Sequence, residues 1–432
     1  MATKSIEIRC PIYGFISLDG WEHDIIATRP FQRLRRIRQL AWTDYVYPGA
    51  MHTRFEHTLG VMHMATLLFD ELVRTDRPSR AVVLDHFGNK DWIDRSRRLV
   101  RLVALTHDLG HSPFSHAGEE LMPFTQGSKS ERHAHEEYSA AIIEKELRSV
   151  IDDHPSNAHG ITAAQVAAMI TSSPDAGRSL FWRPLVSGQL DADRMDYLLR
   201  DSYHAGVQYG RYDWNRVVNT ITVAPAVDEL GPKIGVTEGG WNAAEGLIVA
   251  RYMMFNQVYY HRTRVILDFH LQKALQDMLI ESGSRDGTFA TPNDVGDLLA
   301  WDDWRVLGRL GAGAGGEHGE RLRERRLFRM VKETPAYPTK EDLKLLERWR
   351  SELGSDLAAD IPSSKSWYKL GDTDIPVATE DNARRVRPLS TYSPIIQRMA
   401  EMRQVRLYVD ERKRDACAAR LAGIETKGGK RR

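Results

Sequence analysis

Cysteine is nearly missing: two in 432 residues, Cys10 and Cys417. A disulfide framework is thereby excluded, and a reducing cytoplasmic compartment is the expectation. Charge of one sign is missing too. Sixty basic residues stand against 59 acidic ones, for a formal net charge of +1. No global field favours nucleic acid or a membrane surface. No apolar run approaches the length of a membrane span, the opening MATKSIEIRC does not read as a signal peptide, and there are no internal repeats. What remains is an ordinary globular composition, 42% apolar and 28% charged.

The informative stretch is RLVALTHDLGHSPFSH, residues 101–116. Leu99, Leu102, Val103, Leu105 and Leu109 recur at helical spacing and predict a buried helix. His107, Asp108 and His111 are placed in its last turn, with His107 and His111 four apart on one face and His116 just beyond Pro113. Ionisable groups on a core helix cost stability unless something pairs them, and a metal ion does so most simply. A lone histidine such as His57 on the helix predicted over 52–73 is ordinarily structural, and Asp191 and Asp193 are ordinarily helix-start residues favoured by the dipole. Taken together, His57, His107, Asp108 and Asp193 form a mixed nitrogen and oxygen set. It suits Mn²⁺, Fe²⁺, Ni²⁺, Zn²⁺ or Mg²⁺ with positions open for water. His111, His116 and His135 are available to donate protons, and Arg54, Arg194 and Arg251 to hold phosphates.

Elsewhere the pattern predicts a strand or hairpin over 6–18 and a helix from Trp21 to Leu40 broken at Pro30. It predicts a polar loop over 76–96, helices at 135–147, 162–171 and 340–353, and one long helix from Trp241 to Glu281. GAGAGG, residues 311–316, reads as a flexible loop and ETKGGKRR as a disordered tail.

FQRLRRIRQL, YPGAMHTRFEHTLGVMHMA, LTHDLGHSPFSH, HEEYS, DADRMDYLLRDSYHAG and QVYYHR occur in this order between residues 6 and 265. In that order they resemble the HD-domain superfamily of metal-dependent phosphohydrolases. Within it they are most similar to the deoxynucleoside triphosphate (dNTP) triphosphohydrolases, of the sterile-alpha-motif-and-HD-domain and bacterial dGTPase kinds. RLYVDERKRDACAARL resembles that family's C-terminal lobe more weakly. The resemblance implies a mainly α fold: an HD core over residues 1–280, a helical insert over 281–345 and a small α/β lobe over 346–432. It implies His57, His107, Asp108 and Asp193 as ligands of a divalent metal ion. His111, His135, His116 and Glu119 would serve at the scissile bond, Glu119 standing where the family keeps an aspartate. Arg54, Arg194 and Arg251 would hold the phosphates, and Gln39, Tyr197, Asp201 and Tyr259 the sugar. The implied reaction is hydrolysis of a dNTP to deoxynucleoside and triphosphate, in a homo-oligomer (dimer, tetramer or hexamer). Two other readings stay open: an HD phosphohydrolase of another nucleotide or nucleic-acid end, and a non-catalytic nucleotide-binding subunit. At the family's second, activating nucleotide site, Ala27, Cys10 and Tyr13 replace the expected polar residues. Activation by a guanine nucleotide of the usual kind is therefore not expected.

Overall fold

A computed structural model describes residues 6–88, 90–224, 232–365, 368–379 and 386–429. The chain is mainly helical. The hairpin Ile6–Cys10 and Gly14–Leu18 pairs antiparallel with Cys10 opposite Gly14. The Gly20–Ile26 helix that follows is closed by a capping box between Asp19 and Glu22. Helix Arg54–Leu72 lies at the centre, starting at Thr53 with Glu56 folded back on it, and most residues along it are buried. Lys90–Thr106 and Ala192–Ala205 both pack against it. His135–Glu146 and Ala163–Thr171 pack against one another, and all of these elements feed one main apolar core.

A second core forms around Arg262–Glu281, whose Leu267, Leu271 and Leu275 meet Trp301, Val306 and Leu322. Two small sheets complete the molecule. Strand Pro376–Ala378 joins the hairpin Ile221–Ala224/Lys233–Thr237 in a four-stranded sheet, parallel to Lys233–Thr237 with Val377 opposite Val236. Met402–Val409 is the central strand of a three-stranded sheet between Arg329–Glu333 and Leu357–Lys365. Among the described residues no helix is long and apolar enough to cross a membrane.

Several expectations are corrected. Helix Lys90–Thr106 stops before the histidine pair, and residues 107–110 form a turn, so His107 and His111 do not share a helix face. His107 Nδ1 bonds the carbonyl of Ala104 at 2.8 Å, which holds the ring back over the helix end. The helix expected to reach Leu40 leaves helical geometry after Arg36, at an extended Ile37. Residues 76–96 hold helix Pro78–Phe87 and the start of Lys90–Thr106 rather than a loop. The long helix over 241–281 is two, Trp241–Met254 and Arg262–Glu281, joined by a π turn at Phe255–Tyr259. The glycine-rich stretch is a packed corner rather than a free loop: a Cβ on Gly315 would lie 2.9 Å from that of Ala274. The last helix continues to Gly429, into the segment expected to be disordered, while residues 430–432 of that expected tail lie outside the described residues.

Candidate metal centre and substrate cavity

The four proposed ligands converge although they come from three separate stretches. His57 sits one turn into its helix, His107 and Asp108 on the turn after Thr106, and Asp193 in the first turn of Ala192–Ala205. Asp191 caps that last helix by accepting from the backbone N–H of Arg194 at 2.7 Å, so it is structural while Asp193 is freed to face inward. His57 Nε2 lies 3.0 Å from Asp193 Oδ1 and 3.6 Å from Asp108 Oδ2. His107 Nε2 lies 3.1 Å from Asp108 Oδ1 and 3.9 Å from Asp193 Oδ1. Burial opposes a charge on His57, but Asp193, Asp196 and Asp108 outweigh it and push its pKa up to about 10. Burial likewise opposes a charge on Asp193, yet His107 and His57 hold its carboxyl far below the usual range.

The donor set fits a divalent cation. His57, His107 and Asp193 each offer a ligand atom, all within 4.8 Å of one another. His107 Nε2 is buried and faces Asp108 and Asp193 without a well-aligned hydrogen bond to either, as a nitrogen kept for an ion does. Behind His57, Nδ1 meets Asp196 Oδ2 at 2.8 Å, and Asp196 takes two hydrogen bonds from Arg200, at 2.8 and 2.7 Å. All three side chains are fully buried. This is the carboxylate support that fixes the tautomer of a ligating imidazole. A Cβ on Gly60 would run into Asp196 and Arg200, so only glycine lets the two helices close here.

Beside the metal pocket, Glu119 gathers three imidazoles. Its Oε1 lies 2.9 Å from His111 Nδ1 and 3.1 Å from His135 Nδ1, and its Oε2 lies 2.9 Å from His116 Nδ1. The rings of His111 and His135 stack at 3.8 Å. Burial, Arg54 and His135 lower the pKa of His111 to about 4. For His135 burial also favours the neutral ring, but Glu119 wins and raises its pKa to about 9. The stacked pair thus carries one proton at neutral pH, on His135. Arg54 is buried, donates to Ser115 Oγ at 2.9 Å and pairs with Asp108.

All seven expected substrate residues line one cavity of about 550 Å³: Gln39, Arg54, Arg194, Tyr197, Asp201, Arg251 and Tyr259. Asp193 and His116 border it as well. Asp201 is fixed from two sides, by the O–H of Tyr259 at 2.6 Å and by His52 Nε2 at 2.7 Å. His52, Asp196, Arg200 and Ser115 escape sequence reading. The only signal was the spacing of Asp196 and Arg200, which on its own describes an ordinary surface ion pair. Arg33 escapes it too. Fully buried, it donates to the carbonyls of His111 at 2.9 Å and Trp301 at 2.7 Å, pinning the histidine turn to the second core.

Comparison with known proteins agrees with this geometry. Residues 54–201 match the HD domain and residues 213–422 the HD associated region. MJ1154 of Methanocaldococcus jannaschii, an uncharacterised protein, is 30% identical over 412 residues, covering 92% of this chain and 77% of that one. YwfO of Bacillus subtilis, also uncharacterised, is 34% identical over 277 residues, 62% of this chain and 55% of its own. A Dictyostelium discoideum homologue of the deoxynucleoside triphosphate triphosphohydrolase SAMHD1 is 30% identical over 271 residues, 62% of this chain and 48% of its own. Apart from MJ1154, the matches thus span about half the length of these relatives. A crystal structure of a hypothetical Aquifex aeolicus protein superposes with a TM-score of 0.77 at 27% identity, over 96% of this chain and 100% of that one. The chain belongs to the HD-domain phosphohydrolases, an HD domain followed by its HD associated region.

Proposed function

We propose that the protein hydrolyses dNTPs to deoxynucleoside and inorganic triphosphate. The observation that carries this reading is the single cavity lined at once by Asp193, by Arg54, Arg194 and Arg251, and by the trio Tyr197, Asp201 and Tyr259. Three guanidinium groups suit a multiply charged chain better than a monophosphate. A buried carboxylate held by a tyrosine suits a sugar hydroxyl. The name of the Dictyostelium relative points the same way.

In this reading His57, His107, Asp108 and Asp193 hold a divalent cation. Such an ion lowers the pKa of a nearby water and polarises a phosphoryl oxygen. Arg54 neutralises the α-phosphate, where water forms its new bond to phosphorus and loses a proton to solvent. As the bond from phosphorus to the 5′-oxygen breaks, protonated His135 gives its proton toward the leaving oxygen. Glu119 fixes the rings and, with Arg54, keeps the pair at one proton. Arg194 and Arg251 retain the β- and γ-phosphates, so the triphosphate leaves intact. Assembly as a homo-oligomer and the identity of the metal belong to the same proposal.

A panel of the four dNTPs against Mn²⁺, Fe²⁺, Ni²⁺, Zn²⁺ and Mg²⁺, with products separated by chromatography, tests it. Triphosphate and deoxynucleoside are expected. Orthophosphate or pyrophosphate would move the chain to another HD phosphohydrolase reaction, and no product at all would leave a binding subunit. Run with and without GTP, the panel should show at most a small change, because the side chain of Ala27 offers a guanine edge no hydrogen bond.

A further inference from the structure

A second cavity, of about 720 Å³, lies behind the phosphate grips and plays no part in the reaction described so far. It shares Arg194 and Arg251 with the substrate cavity, and Arg183 and Ser187 with the metal pocket. Arg178, Lys233 and Lys369 complete its cationic wall. The one carboxylate among its described lining residues is that of Asp374, whose Oδ1 accepts from the O–H of Tyr368 at 2.6 Å. A concave surface on which cations outnumber carboxylates in this way concentrates polyanions. Its size is in the ordinary range for a small-molecule site.

We infer that this cavity is a binding site for inorganic oligophosphate. Arg194 and Arg251 stand between the two cavities, so a phosphate chain held by them can be passed from the nucleoside side to this one. The site would receive the triphosphate after cleavage and give it a way out that does not require the nucleoside to leave first. The role as product site rests on the proposed dNTP hydrolysis, whereas the ligand class rests on the cavity wall alone.

The test is calorimetric titration of the full-length protein with sodium tripolyphosphate, for the native chain and for the double variant Arg178→Ala/Lys369→Ala. Both residues are exposed and lie outside the proposed reaction centre, so the fold should survive, as circular dichroism will report. One-to-one binding is expected in the native protein, weakened tenfold or more in the double variant. Absence of binding, or equal affinity in the two proteins, overturns the inference. Deoxynucleoside titration serves as control and should be unchanged by the double substitution; an equal loss there would also overturn it. The dNTP panel fails or succeeds separately. Inert dNTPs together with variant-sensitive tripolyphosphate binding would remove the proposed reaction and leave this site standing.

Discussion

Asp196 shows how much of this centre depends on residues that never meet substrate. It orients His57 and neutralises Arg200 where neither has access to water. Burial opposes its charge, but Arg200 and His57 hold its pKa at about 2. Asp196→Asn leaves Arg200 as a buried charge without its counter-ion, which typically costs about 3–5 kcal/mol. It also loosens His57, and loss of such a supporting carboxylate lowers metal affinity by about 10–100-fold. Thermal denaturation and metal titration read the two effects separately. His135 makes a prediction in pH. Its folded-state pKa is raised to about 9, so as a proton donor it is competent below that value and is lost as pH rises through it. The profile of kcat should therefore fall on the alkaline side near pH 9. His135→Gln should remove that limb and lower kcat by about 10²–10⁴-fold. The same shift contributes stability that is full below the unfolded value near 6.5 and is lost as pH rises toward 9.

Among the elements, helices Arg54–Leu72, Ala163–Thr171 and Lys340–Leu353 could be read from the sequence because a threonine starts each one and apolar residues then recur at helical spacing. The break near Pro30 could be read as well, but two others could not. The stop at Thr106 is set by a histidine bonding its own helix and by Arg33 holding the carbonyl of His111 from far away in sequence. The π turn at Phe255–Tyr259 places Tyr259 on Asp201, and neither local composition nor periodicity shows it. The convergence of His57, His107, Asp108 and Asp193 was legible because those residue types make chemical sense only together. Their supporting shell was not, because Asp196 and Arg200 become a buried pair only when two helices meet. That meeting yields a prediction for the helix pair: Gly60→Ala drives a methyl into the ion pair. Overpacking of this kind costs about 1–3 kcal/mol, and metal affinity should fall with stability, as denaturation and metal titration of one variant will show.

At the scale of the whole molecule, the two cores are joined through the chemistry. Arg33 takes carbonyls from the histidine turn and from Trp301, while Asp303 accepts the backbone N–H groups of Phe114 at 2.7 Å and Arg38 at 2.8 Å. Arg33→Met should therefore harm activity more than folding. A displacement of about 1 Å in a reacting group can lower a rate by about 10²-fold, and helical content by circular dichroism is expected to stay near native. One side chain meets both halves of the centre. Asp108 lies 3.1 Å from His107 and 3.1 Å from His111, and it also pairs with Arg54. Ion preference and working acidity therefore share a single lever: a substitution that retunes one will move the other, and neither trait can drift alone while that carboxylate stands.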